Sequence, residues 1–482
     1  MHVVDLTTLG AADLSDAIHA REYSCREVMA AFVDRIDQRN PELNAIVSRR
    51  DREVLIAEAG ECDEEIAHDL SRGWMHGIPQ AIKDLAETRG LRTTMGSPLF
   101  ADHVPDIDAL MVARMKGAGC LVVGKTNVPE FGKGSHTFNE VFGATRNPYD
   151  TTRSAGGSSG GAAVALATRM LPVADGSDYM GSLRNPAGWN NVFGFRPSQG
   201  RVPSHPERDQ YLSQMGTEGP MGRTVVDVAM LLGTQAGFDA RVPLSLSGSL
   251  TEFATTDGTR AALDTDVEGW TIGWLGDLGG HLEIEPGILE LCSEGLHRLH
   301  QLGCEVEPAR LDFPLDELWE AWLTWRHMVV VAGIGASVTD DAARRLVKPE
   351  VLWEIDRGRA LTVDDINRAA SIRTRYHETI SAMFGRYDAL ALPTAQVWPF
   401  AIEQRWPAHI NGRSMDTYHR WMEVTLYATF AGLPAISVPV GFGDTGLPMG
   451  MQLVGAPRAD VDVLRLAHAY ESTIGHLHIG HA

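Results

Sequence analysis

Two hydrophobic periods alternate along this chain. Ser24-Cys-Arg-Glu27 reads as a capping box, and Val28, Met29, Phe32, Val33 and Ile36 then recur at helical spacing. Pro41 predicts that this helix stops ahead of it. Residues 51–69 carry eight acids against one basic residue, Arg52, interrupted by Leu55, Ile56 and Ile66, which is the pattern of a helix with a solvated acidic face. Residues 108–118 are amphipathic, 120–123 form a short apolar strand, and 162–170 read as an apolar helix followed by a strand at LPVAD. GWTIGWL (269–275) predicts a strand and 289–302 a helix ending at Gly303. After Tyr387 the strand pattern returns in DALALPT, AISVPV and MGMQLVG, and a last helix covers 460–471. Strands alternating with helices predict an α/β protein with a largely covered sheet.

Two stretches break this texture. Residues 132–161 are rich in glycine, serine and asparagine. Residues 306–420 are helical, aromatic and irregular, and nine of the eleven tryptophans fall between Trp270 and Trp421. Trp319, Trp322 and Trp325 share roughly one helix face, which suits either core or a substrate-facing cap. At about 150 residues per domain, the 482 residues suggest about three domains. Hydrophobic residues are 44% and charged residues 22%, enough for a sizeable core. The net charge of −21 argues against nucleic acid or an anionic membrane as partner, since both are polyanions. Cys25, Cys62, Cys120, Cys292 and Cys304 are widely spaced and odd in number, which fits reduced thiols in a cytoplasmic protein. The opening MHVVDLTTLG lacks the basic and apolar regions of a secretory leader, and the longest apolar stretch, near 328–338, is too short for a bilayer.

Several short motifs carry chemistry on paper. Gly119 through Gly124-Lys125-Thr126 satisfies the Walker A expression, but its middle residues are apolar and β-prone and Asn127-Val-Pro129 follows at once, so no phosphate-wrapping turn is expected. Gly156-Gly-Ser158-Ser159-Gly160 satisfies G-x-S-x-G, yet a loop-like stretch precedes it where a nucleophile elbow needs a strand. His476, His478 and His481 alternate without a cysteine or carboxylate beside them, so no metal site is expected there.

A third constellation is more specific. Lys83 lies in GIPQAIKD, Ser158 in GGSSGG and Ser182 in GSDYMGSLRNPA, in that order, with a small-residue helix and a strand joining the two serine motifs. Gly124-Lys-Thr-Asn-Val-Pro-Glu130, Arg146-Asn-Pro, Gly432-Leu-Pro-Ala-Ile-Ser-Val-Pro439 and Gly446-Leu-Pro-Met-Gly-Met-Gln452 accompany them. Together these resemble the amidase signature family over nearly the whole chain, most weakly over 306–420. The resemblance implies an α/β fold with a central mixed twisted sheet covered by helices on both faces. It implies one domain over 1–482, with 306–420 as a helical, aromatic-rich cap within it.

The same resemblance implies a serine–cis-serine–lysine triad, with Ser182 as nucleophile, Ser158 as bridging serine behind a cis peptide, and Lys83 as base. A serine hydroxyl attacks only when a base takes its proton, and a lysine is such a base only when burial or a nearby cation keeps it neutral. The proton would pass from Ser182 through Ser158 to Lys83 and return to the leaving nitrogen. Backbone N–H groups of Tyr179, Met180, Gly181 and Ser182 would form the oxyanion hole. Ser159, Asp178 and Arg184 would support the loop. Phe131 and Gly132 would line the pocket, with Trp319, Trp322, Trp325, Trp398 and Trp406 as an aromatic wall. The family usually has glycine where Met180 stands and threonine where Ser177 stands. Methionine keeps its N–H but avoids positive φ, so Tyr179 and Met180 are expected to reshape the pocket wall.

The implied function is hydrolysis of small, fairly apolar amides, anilides or carbamates without a cofactor, by a monomer or homodimer. Two alternatives stand beside it: the transamidase subunit that amidates misacylated tRNA, and a non-catalytic binding protein on the same scaffold.

Overall fold

The computed structural model describes residues 5–475. The histidine tail lies outside them. Ser24 opens the helix Cys25–Leu43, its hydroxyl accepting from Glu27 N–H while the Glu27 carboxylate returns the bond. The helix runs through Pro41 instead of stopping before it. Proline there lies in the last turn and lacks the donor to the carbonyl of Asp37, which is on the exposed face and open to solvent. Asn44, at φ 51°, then closes the helix. The acidic helix spans Arg52–Ala67 and buries Leu55, Ala59 and Cys62, leaving its carboxylates outside.

The strands form two principal sheets. A three-stranded sheet holds Ile46–Val47, Leu121–Thr126 and Pro79–Lys83, in that order. An eight-stranded sheet runs edge to edge through Glu305–Pro308, Thr271–Trp274, Ala389–Pro393, Pro448–Gly455, Ala435–Phe442, Phe193–Arg196, Thr217–Gly222 and Val173–Asp178. Its first three strands are parallel and the remaining pairings antiparallel, so it is mixed.

Pro448–Gly455 is buried at every position, which requires cover on both faces. A Cβ on Gly188, in the helix Arg184–Trp189, would stand 3.0 Å from Gly450 N. One on Gly295, in the helix Ile288–Gln301, would stand 3.3 Å from Met451 Cε. Gly450 and Met451 are neighbours on one strand and point to opposite faces, so the two helices cover the two sides.

Two large hydrophobic cores result, beside a small third cluster that joins Phe131 to Val330, Val338, Val347, Val351 and Ile355. One surrounds the large sheet and takes in the aromatic segment; the other packs the three-stranded sheet against the N-terminal helices and the helix Gly160–Ala167. Pro79–Lys83 meets the edge strand Val173–Asp178 where the cores abut. No helix among the described residues is long and apolar enough to cross a membrane, and all five cysteines are free and buried.

Candidate active site

Lys83 ends the strand Pro79–Lys83, which ties it to the edge strand of the large sheet. Its N–H donates to Asp175 Oδ2 (3.0 Å) and Gln80 Nε2 donates to Asp175 Oδ1 (3.1 Å). The side chain is 2% exposed. Its Nζ lies 2.8 Å from Ser158 Oγ, 2.7 Å from Ser159 Oγ, 2.9 Å from Ser177 Oγ and 3.1 Å from Ser177 O. Asp84 turns the other way, to the Thr94 hydroxyl and N–H, so Lys83 is not a surface lysine paired with its neighbour. Burial pushes Lys83 down to about 7, against the opposing pull of Asp175, Asp178 and Glu218.

Close packing of small residues presents the serines. The Gly157–Ser158 peptide is cis. The hydroxyls of Ser135 and Thr137 donate to the carbonyls of Gly157 (2.5 Å) and Gly156 (2.8 Å). A Cβ on Gly176 would stand 2.7 Å from Ser159 Oγ, so only glycine lets the strand pass this close. Bends, not a strand, precede Ser158, and the short helix Gly160–Ala167 follows it, which is not the geometry of a nucleophile elbow. Lys125 of the Walker-like stretch is buried in the strand Leu121–Thr126 and donates to Ala86 O and Thr88 Oγ1, leaving no cradle for a phosphate.

The loop carrying Ser182 is held by a buried ion cluster. Asp178 accepts from Arg184 Nε (3.0 Å) and Nη2 (3.1 Å), Gly181 N–H (2.7 Å) and Leu183 N–H (3.2 Å). Arg184 also donates to Gln452 Oε1, Thr425 O and Thr429 Oγ1. Burial would raise the Asp178 carboxyl, but Arg184 and Arg196 hold it down at about 2. One expectation needs correction here. The Gly181 N–H is committed to Asp178, so Tyr179, Met180 and Ser182 remain as the candidates for the oxyanion hole. The positive φ of the loop (84°) falls on Gly181 and not on Met180, which is why methionine is tolerated. Ser182 is 6% exposed. Its carbonyl accepts from Ser159 N–H (3.2 Å), which ties this loop to the Ser158 loop.

A cavity of about 340 Å³ opens over Lys83, Ser158, Ser177 and Tyr179. Phe131 and Gly132 line it; Ser182 is not among the residues that do. The tryptophans do not line it. Trp319 and Trp322 stack on each other, 5.2 Å between centroids, and meet His419 edge-on and tilted, all three fully buried. Trp325 packs under Arg373. Trp398 donates to Pro286 O and covers Gly443, and Trp406 flanks Arg405 in a separate small pocket. The aromatic segment reaches the cavity instead through Met328, Val330 and Ile334, at and beyond the end of the Trp-bearing helix Leu315–Ala332. Tyr179 lines the cavity, but Met180 is 2% exposed and belongs to the core of the large sheet, so only the first of the two shapes the wall.

Two further charged residues of the wall escaped the sequence reading. Glu218 stands directly across from Ser177 on the neighbouring strand, and burial, with Glu207 and Asp175 nearby, pushes it up to about 8. Lys133 sits between two glycines, with its Nζ over the Tyr179 ring at 4.4 Å. A lone charge in a glycine-rich run, or in the strand TEGPMG, was the available signal.

Known proteins similar to this chain are amide-processing enzymes or their components. The family profile described as Amidase matches residues 27–464. The chain is 33% identical to an acylamidase from Rhodococcus erythropolis, over 97% of this chain and 96% of that one. It is also 33% identical to the A-type subunit of a glutamyl-tRNA(Gln) amidotransferase from Thermosynechococcus vestitus, over 94% of this chain and 95% of the other. Among solved structures it superposes on a bacterial aryl acylamidase of the amidase signature family with a TM-score of 0.90 at 31% identity, covering 98% of this chain and 99% of that one.

Proposed function

The chain belongs to the amidase signature family and is an amide-hydrolysing enzyme, and from that premise we propose that it cleaves the C–N bond of small, fairly apolar amides, anilides or carbamates through a covalent intermediate on Ser182. Neutral Lys83 takes a proton from Ser158 as Ser158 takes one from Ser182, and Ser182 Oγ bonds to the carbonyl carbon. The carbonyl oxygen becomes an oxyanion held by the N–H groups of Met180 and Ser182, with Tyr179 as a third candidate. The C–N bond then breaks, and the nitrogen leaves with the proton returned from Lys83 through Ser158. Water repeats the sequence on the acyl- or carbamoyl-enzyme and frees Ser182. Asp178, Arg184 and Ser159 orient the loops and carry no proton.

The observation that carries this reading is the Lys83 cluster: a buried lysine 2.8 Å from Ser158 Oγ, brought down to about 7 where a neutral amine is available at ordinary pH. Support for a small apolar substrate comes from the cavity volume and from Phe131, Met328, Val330 and Ile334 in its wall, not from the tryptophans. Likeness to an amidotransferase component keeps the transamidase alternative in view, while the net charge of −21 speaks against a tRNA partner.

The test is a panel of aliphatic amides, anilides and carbamates, with mass spectrometry of the quenched enzyme. Turnover without ATP, glutamine or tRNA is expected, with an adduct on Ser182 that Ser182→Ala abolishes. Turnover that requires all three additions, or activity that survives Ser182→Ala, overturns the reading.

A further inference from the structure

Among the described residues, Lys133 is a buried cation without a counter-charge. Its side chain is placed by the turn Glu130–Gly132, in which Phe131 (φ 52°) and Gly132 (φ 65°) both take left-handed conformations. It is 9% exposed and lines the cavity beside Gly132, where a Cβ would stand 3.4 Å from Ser158 Oγ. The nearby carboxylates are already engaged. Glu354 takes Arg326 in two hydrogen bonds of 2.9 and 2.7 Å, and Glu350 takes Arg405. Glu130 accepts from the Ser97 hydroxyl and Lys348 N–H. Lys348 Nζ donates to the Lys133 carbonyl, adding another cation close by. What Lys133 Nζ does touch is the face of Tyr179, at 4.4 Å. A ring face steadies an ammonium but accepts no directed hydrogen bond from it.

A buried ammonium in such surroundings is costly unless something pairs with it. Burial, with Arg326 and Lys348 nearby, pushes Lys133 down to about 7 against the pull of Glu354. An anion entering the cavity would restore its full charge and supply the missing acceptor. From the unpaired Nζ at the cavity wall, one residue from Gly132 and over the ring of Tyr179, we infer that Lys133 is a specificity residue that binds a carboxylate on the substrate. The favoured substrates are then otherwise apolar amides bearing one carboxylate away from the scissile bond. This deepens the amide-hydrolase reading of the site and rests on it.

Two matched pairs test the inference, each setting a carboxylate against an isopropyl group of the same shape. Succinic monoanilide and isocaproanilide differ on the acyl side; para-carboxyacetanilide and para-isopropylacetanilide differ on the amine side. For the wild type, kcat/KM in at least one pair is expected to favour the carboxylate by about 10- to 100-fold, the scale of a hydrogen bond to a charged group. Lys133→Met and Lys133→Gln should abolish that ratio and Lys133→Arg should keep most of it. The ratio within a pair is insensitive to a general loss of folded enzyme. A wild type that favours neither carboxylate, or variants that keep the preference, overturns the role of Lys133. Failure to hydrolyse any member of either pair would instead remove anilides from the proposed substrates and overturn the inference with them, while leaving amide hydrolysis itself to the wider panel.

Discussion

The acid limb of the pH profile can be worked out from the surroundings of Lys83. An ordinary lysine, at 10.5, is neutral to about 3 parts in 10,000 at pH 7, whereas one at about 7 is half neutral. Burial therefore raises the supply of usable base about 1,500-fold at neutral pH. The enzyme should show kcat/KM rising with pH through about 7, because protonated Lys83 cannot accept from Ser158 and the free enzyme's titration governs this ratio.

Ser177→Asp probes the cause. The Ser177 hydroxyl is 2.9 Å from Lys83 Nζ and borders the cavity, so a carboxylate built there faces the ammonium directly. An opposite charge at that range favours the protonated lysine by about 1–3 pK units. The limb should move to about 8–10, with kcat/KM at pH 7 falling about 5- to 500-fold and recovering toward pH 10. Initial rates on an anilide from pH 5.5 to 10, with a thermal melt to confirm folding, make the measurement. A wild-type profile flat from pH 5.5 to 8.5 would refute the reasoning. So would a Ser177→Asp loss equal at every pH with the limb unmoved.

Three further outcomes follow from the packing. Arg184→Leu leaves Asp178 with Arg196 as its remaining ionic partner inside the core, and should lower unfolding free energy by about 3–5 kcal/mol in a denaturant titration; a loss below about 1 kcal/mol would mean the loop is held by other means. Met180→Ala should cost about 2–5 kcal/mol of stability by the same measurement, because the side chain fills core. It should change relative kcat/KM between aliphatic and aromatic acyl groups by less than about 3-fold, and a larger switch would place the methionine in the cavity. Trp322→Ala should lower stability by about 3–5 kcal/mol with KM nearly unchanged, whereas a raised KM at constant stability would restore the cap reading of that face.

The proposed triad residues were legible because chemistry restricts them to small motifs of fixed order. GGSSGG and GSDYMGSLR leave little doubt about which loops meet, since glycine is required where Gly176 and Gly181 approach Ser159 and Thr425. The covered α/β sheet was legible for the same kind of reason, as AISVPV and MGMQLVG are apolar at nearly every position. The pocket wall was not. A tryptophan stripe has one spacing whether it faces core or ligand, and Trp319 and Trp322 turned inward onto His419. Lys133 and Glu218 carry no periodic signal, and their surroundings come from distant segments, Tyr179, Arg326 and Glu354 for the first and the neighbouring strand for the second. Gly181 was assigned a free N–H because sequence does not show which acceptor a loop amide meets.

Lys83 belongs to one sheet and Ser177 to another, and Asp175 joins them by accepting from Lys83 and Gln80. On the loop between, Met180 is buried in one core and Leu183 in the other. The proposed reaction centre is thus a seam and not an element. Neither half of the molecule owns it, and it exists only while the two halves are docked in register. A slight parting along that line would leave every strand and helix intact and extinguish turnover, so catalytic competence is a more sensitive gauge of assembly in this enzyme than its secondary structure.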